Sequence, residues 1–188
     1  MLVGPVPSKT SIVRQPRLLV SLLALGFCTA AALADQPRAI AAGERLDDVR
    51  IQGLNVPSRR LSTYRGRALI INVWASWCGP CRAEMASLER LAWMGHPAEF
   101  AVIGVSTDDF PERARSLLRE TNATIPHFID SGLRVETMLG ASRLPLTVIV
   151  DADGRVVQKV YGARQWDSPD MIAEIDRLFG NPLPVSQQ

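Results

Sequence analysis

Two cysteines held two residues apart, in the run Trp77-Cys78-Gly79-Pro80-Cys81, constrain this chain more than any other feature. Thiols at that spacing close into a small disulfide and open again, which is the chemistry of thiol–disulfide exchange. The preceding run, Leu69-Ile70-Ile71-Asn72-Val73-Trp74, is apolar enough for a buried strand, and a helical pattern follows it. The pair therefore falls where a strand ends and a helix begins, with Cys78 at the helix N-terminus. The partial positive charge there stabilises a thiolate, and CxxC thiols commonly titrate at roughly 3.5–7.5. The competing use of such a pair is half of a structural zinc site. Tetrahedral zinc needs four ligands. Beyond this pair the chain offers only His96 and His127, without HxxxH spacing. A redox pair is the expectation, with no metal and no cofactor.

The first 34 residues carry an address. Lys9, Arg14 and Arg17 make a positive start without an acid, Leu18–Leu25 is strongly apolar, and Ala32-Leu33-Ala34 before Asp35 fits an A-x-A cleavage site. The alternative is an uncleaved membrane anchor, for which the run Leu18–Ala34 is short. Cys28 follows Phe27 where a lipobox wants a small residue, and there is no twin arginine. Residues 1–34 are thus expected to be a signal peptide or an N-terminal anchor, with the rest facing the periplasm or cell envelope. Cys28 goes with that segment, so Cys78 and Cys81 remain without a third partner. In an oxidising compartment such a pair drifts to the disulfide unless something reduces it. An electron donor in the membrane would answer that need.

Cleavage leaves 154 of the 188 residues, enough for one domain and one core. The net charge is +2, and losing Lys9, Arg14 and Arg17 brings it to −1. No basic stripe speaks for nucleic acid. Residues 35–42 read as a small-residue linker, 43–180 as the domain and 181–188 as a polar tail. Within the domain, Asp47–Val56 and Arg59–Ser62 suggest an N-terminal hairpin. Ala68–Trp74 and Phe100–Ser106 read as central strands, Pro80–Met94 as a helix burying Met85, Leu88, Leu91 and Ala92. Phe110–Glu120 reads as a helix with Asp109 as N-cap and Pro111 in its first turn. His127–Ile129 is a short strand and Val135–Leu139 a short helix. Leu146–Val150 and Arg155–Tyr161 flank the turn Asp151-Ala152-Asp153-Gly154. Ser168–Phe179 closes the chain, capped by Asp167 or Ser168 and stopped by Gly180 and Pro182. The alternation means α/β with a mixed sheet; pattern alone does not give the strand order.

Asn72-Val-Trp-Ala-Ser-Trp-Cys-Gly-Pro-Cys-Arg-Ala-Glu84, then Leu144-Pro145 before a strand, resembles the thioredoxin superfamily and, within it, the extracytoplasmic TlpA/ResA type. Leu61-Ser-Thr-Tyr-Arg-Gly66 resembles that family's loop before the first central strand, and the likeness runs from about Gly43 to Phe179. The resemblance implies a thioredoxin fold: a central mixed β-sheet flanked by helices, with an N-terminal β-hairpin and a central helical insertion around Phe110–Leu139.

It also implies roles. Cys78 is the nucleophile and the more exposed sulfur; Cys81, one turn on, resolves the mixed disulfide. Gly79 and Pro80 shape the bend and tune the potential. Pro145 is the family's cis-proline, a bond that costs only about 0.5–1 kcal/mol over trans. Leu144 before it pairs with substrate backbone like an added strand. Glu84 handles protons, because Asn72 stands where many thioredoxins carry a buried Asp and has no titrating carboxyl; the plainer alternative is a solvated glutamate near a helix N-terminus. Trp77 belongs to a docking rim and Trp74 packs beneath it, unless both are ordinary core aromatics. Trp93 and Trp166 have no assigned role, and His127 is structural. The implied activity is a protein-disulfide reductase serving cytochrome c maturation or copper-oxidase assembly. Its clients would be apocytochrome c or a copper-site protein, and its electron donor would be of the DsbD/CcdA type. The rivals are a disulfide-forming oxidase, against which Gly79-Pro80 speaks, and a Cu(I) metallochaperone using the two cysteines as soft ligands.

Overall fold

The computed structural model describes residues 38–94 and 100–180, together with Met1 and Gly4. The expected signal segment, His96 and the polar tail lie outside the described residues. Among those described, the sheet has seven strands: β1 (Arg50–Gly53), β2 (Arg59–Arg60), β3 (Ala68–Trp74), β4 (Phe100–Ser106), β5 (His127–Ile129), β6 (Leu146–Val150) and β7 (Val156–Tyr161). The helices are α1 (Gly79–Trp93), α2 (Pro111–Glu120), α3 (Arg134–Leu139) and α4 (Pro169–Gly180). The spatial strand order is β2-β1-β5-β4-β3-β6-β7. β3, β4 and β5 run parallel, and the remaining neighbours pair antiparallel. This is the mixed sheet of a thioredoxin fold. No described helix is long and apolar enough to cross a membrane.

β3 is buried on both faces because both are covered. Leu69, Ile71 and Val73 enter one apolar cluster with Val135, Met138 and Leu139 from the α3 side. Ile70 joins Leu88 and Leu91 of α1 and Ile175 of α4, while Trp74 joins Cys81 and Met85 of α1 and Leu117 of α2. The period-2 alternation of the strand thus assigns Asn72 to the α1 face, where Glu84 waits.

Several boundaries differ from the sequence expectation. β2 is two residues long, because Leu61–Tyr64 turns into a 3-10 helix and the Ser62 N–H goes to Asp48 Oδ1 rather than to a ladder. β1 also pairs with β5, so the hairpin extends the main sheet. Asp109 does not cap α2; Phe110, in extended backbone, holds the N-cap position with no side-chain cap bond. At α4 the Ser168 hydroxyl accepts from the Met171 N–H, while Asp167 is engaged by Arg90 and Gln165, and the helix runs on through Gly180. Residues 38–42, expected as linker, are tied to the domain: the Ile40 N–H donates to Met138 O at 2.8 Å, and Lys159 Nζ donates to the carbonyls of Ile40 and Leu139.

Candidate active site

Cys78 is the N-cap of α1, with extended backbone at φ −84° and ψ 102°. Its Sγ accepts the Cys81 N–H at 3.2 Å, one of the orphan donors that every helix N-terminus leaves. Pro80 sits in the first turn, where its missing N–H leaves no bond unmade. The two sulfurs are joined in a disulfide. Cys78 keeps 5% exposure and Cys81 none, so any approach from solvent meets Cys78 first. Gly79 and Pro80 are exposed, and Trp77 stands out at 71%.

The Leu144–Pro145 peptide is cis. Pro145 is buried, its carbonyl accepts the Gly162 N–H at 2.9 Å, and half-buried Leu144 packs on the cluster that holds both cysteines. Trp74, fully buried in that cluster, lies beneath the pair.

Glu84 is buried, one helical turn past Cys81. Asn72 Nδ2 donates to its Oε1 at 2.7 Å; Trp166 Nε1 and the Arg164 N–H donate to its Oε2 at 2.9 and 3.1 Å. Asn72 Nδ2 also reaches Thr147 Oγ1 at 3.0 Å. Burial pushes the Glu84 carboxyl above the usual carboxylate range, and the three donors pull it part of the way back. Trp166 carries no sequence signal for this part; the sheet order brings it to Glu84 from the far end of the chain.

A second carboxyl group supports the segment that leads into the pair. Buried Asp108 accepts from the Ser76 N–H at 2.8 Å and the Ser76 hydroxyl at 2.6 Å, and from the Ser106 hydroxyl at 2.7 Å. Nothing in the sequence pattern singles it out. No group of three or more His, Cys, Asp or Glu side chains among the described residues could hold a metal ion.

Residues 41–176 match the Redoxin family. The chain belongs to that family. It is 30% identical to the thiol:disulfide interchange protein HelX of Rhodobacter capsulatus, over 79% of this chain and 88% of the relative. It is 27% identical to the thiol-disulfide oxidoreductase ResA of Geobacillus thermodenitrificans, over 80% of this chain and 87% of that protein. Among solved structures, a thiol:disulfide interchange protein of Chlorobium tepidum superposes with a TM-score of 0.60 at 18% identity, covering 76% of this chain and 97% of that one. The thioredoxin domain of a thiol-disulfide oxidoreductase from Bacteroides vulgatus gives 0.62 at 20%, covering 74% and 98%. This Redoxin-family chain is a TlpA/ResA-like member of the thioredoxin superfamily and a protein-disulfide oxidoreductase acting on protein thiols.

Proposed function

We propose that the chain is an extracytoplasmic reductase of protein disulfides and that its electrons go to cysteine pairs of apocytochrome c or of a copper-site protein. The observation that carries this reading is the Cys78–Cys81 disulfide at the N-terminus of α1, packed against Leu144 of the cis-proline loop. In the reduced protein the Cys78 thiolate attacks one sulfur of a client disulfide. The client S–S bond breaks, a mixed disulfide forms, and the other client sulfur leaves as a thiolate that takes up a proton. Glu84 accepts the Cys81 proton, and the Cys81 thiolate attacks Cys78 Sγ. The mixed bond breaks, the second client thiolate leaves, and the enzyme disulfide remains. Two electrons have moved to the client. A dithiol donor in the membrane, of the DsbD/CcdA type, returns them by the reverse exchange. Held on one helix, Cys81 makes the second step intramolecular, which raises its effective concentration greatly. Leu144 offers backbone to the client, and Trp77, Gly79 and Pro80 form the surface against which it rests. Residues 1–34 export the domain as a cleaved signal or hold it as an anchor.

The test is the equilibrium potential of the pair, by titration against glutathione or dithiothreitol, with Cys81→Ser used to trap the client as a mixed disulfide. A potential near −270 mV or lower (about the thioredoxin level) supports the reductase, and one near about −120 mV makes disulfide formation the function instead.

A further inference from the structure

The three parallel strands deliver chain to the sheet end where the cysteines lie, and they do so in step. The ladder continues past the strand ends: the Thr107 N–H donates to Trp74 O at 2.9 Å, and the Asp130 N–H donates to Ser106 O at 2.8 Å. Trp74, Ser106 and Ile129 are level across β3, β4 and β5, and each strand ends there. Three residues beyond Trp74, and four beyond Ser106 and Ile129, stands a large apolar side chain left in solvent: Trp77 at 71%, Phe110 at 56% and Leu133 at 41% exposure. The other exposed large apolar residues of the domain, Trp93 and Met94, lie at the opposite end of α1.

Two of the three break a local rule. Phe110 and Leu133 are the N-caps of α2 and α3, with no side-chain cap bond, whereas Trp77 stands one residue before the N-cap of α1. N-cap positions favour Ser, Thr, Asp or Asn. Leu133 also holds a left-handed backbone at φ +52°, which a branched apolar residue rarely adopts. Neither packing nor local structure asks for apolar residues there. Departures of that kind concentrate at functional sites. Arg113 lies over the Phe110 ring, 5.3 Å from its centroid, and steadies it without covering it.

We propose that Leu133, Phe110, Trp77 and Leu144 form one docking row for an extended, apolar segment of the client polypeptide around its disulfide. The strand order β5-β4-β3-β6 sets them side by side in that sequence. With strands about 4.8 Å apart, the row spans about 15 Å, the length of an extended segment of about four or five residues. The extended form follows from Leu144, whose backbone makes no hydrogen bond within the described chain and is open to pair with another. The row rests on the thiol-exchange reading of Cys78 and extends it from the reacting atoms to the choice of client.

The experiment uses the reduced full-length chain and two short peptides, each carrying a cysteine in mixed disulfide. One has Val and Leu on both flanks, the other Ser and Gly. The second-order exchange rate with the wild-type chain is expected to favour the apolar peptide about tenfold, the worth of a partly buried apolar side chain. The double variant Phe110→Ser, Leu133→Asn is expected to lose most of that preference, and each single variant part of it. Its thermal midpoint is expected to hold or rise, because Ser suits an N-cap and Asn a left-handed position. A wild-type chain indifferent to the flanks, or variants that keep the tenfold ratio, would overturn the row. A reduced chain that exchanges with neither peptide would sink the exchange reading itself, and the row with it.

Discussion

The indole N–H of Trp166 donates to Oε2 of Glu84 at 2.9 Å, across 82 residues of sequence, in a site closed to solvent. Burial raises the Glu84 carboxyl above 4.5, while the Trp166, Arg164 N–H and Asn72 donors oppose the rise. A folded-state value above the unfolded one means that the bound proton favours the fold. That contribution is complete below about 4.5 and is lost as pH rises through the raised value. Trp166→Phe keeps one aromatic ring and removes the donor, and the space it vacates costs the same at any pH. A hydrogen bond to a charged group contributes about 1.5–3 kcal/mol and one to a neutral group about 0.5–1.5. The variant is therefore expected to be destabilised by about 1 kcal/mol more at about pH 8 than at about pH 4. Urea midpoints at the two pH values check it. An equal penalty at both would mean that Trp166 does not act on the carboxylate charge.

The part of the site that the sequence makes legible is the part written in consecutive residues. Trp77–Cys81 after the apolar run of β3 fixes the disulfide, the strand-to-helix junction and the N-terminal position of Cys78. Glu84 is visible as a neighbour because one turn of the same helix carries it. Trp166 and Asp108 are not, since each reaches the site only through strand order and loop path, which periodicity does not encode. Asp109 misleads as a cap for the same reason. The level of the β4 exit is set by its pairing with β3, and it places Phe110, not Asp109, at the N-cap. The pairing of β1 with β5 is equally non-local, and only the packed sheet reveals it.

His127 lies buried with no hydrogen-bond partner for Nδ1 or Nε2 among the described residues, edge-on to the Trp74 ring with centroids 5.5 Å apart. Burial lowers its pKa from 6.5 to about 3. A depressed folded value means that the unfolded chain binds the proton first. The stability present above 6.5 is therefore lost as pH falls from there towards about 3. Between about pH 7 and pH 5 the wild type is expected to lose about 2 kcal/mol relative to His127→Leu. Chemical denaturation of both proteins at the two pH values measures the difference, which cancels the other titrating groups. Parallel losses would show that His127 is not the group responsible.

Gly104 leaves the space that this histidine occupies. A Cβ on Gly104 would overlap His127 Nδ1 and Cε1 and stand 2.8 Å from Trp74 Nε1. Gly104→Ala is therefore expected to cost about 1–3 kcal/mol, the range for overfilling a packed core. In a His127→Ala background the same change should cost at least about 1 kcal/mol less, because the ring it strikes is gone. A double-mutant cycle reads the coupling directly, and additive penalties would rule out the ring as the obstacle.

Asp108 holds Ser76 by both its N–H and its hydroxyl, two residues before the cysteine at the head of α1. Asp108→Ala leaves both of those donors, and the Ser106 hydroxyl, facing a buried space without their acceptor. A buried donor left unpaired costs about 1–3 kcal/mol. The variant is expected to lose at least that much stability and to exchange its Ser76 amide about tenfold faster or more, since each tenfold of opening corresponds to about 1.4 kcal/mol. Asp108→Asn retains one oxygen for the Ser76 N–H and should keep most of that protection. If the alanine variant protects the Ser76 amide as the wild type does, the cysteine-bearing loop is held by its own backbone bonds, Cys78 N–H to Ala75 O above all, and Asp108 is a neighbour of the site rather than its support.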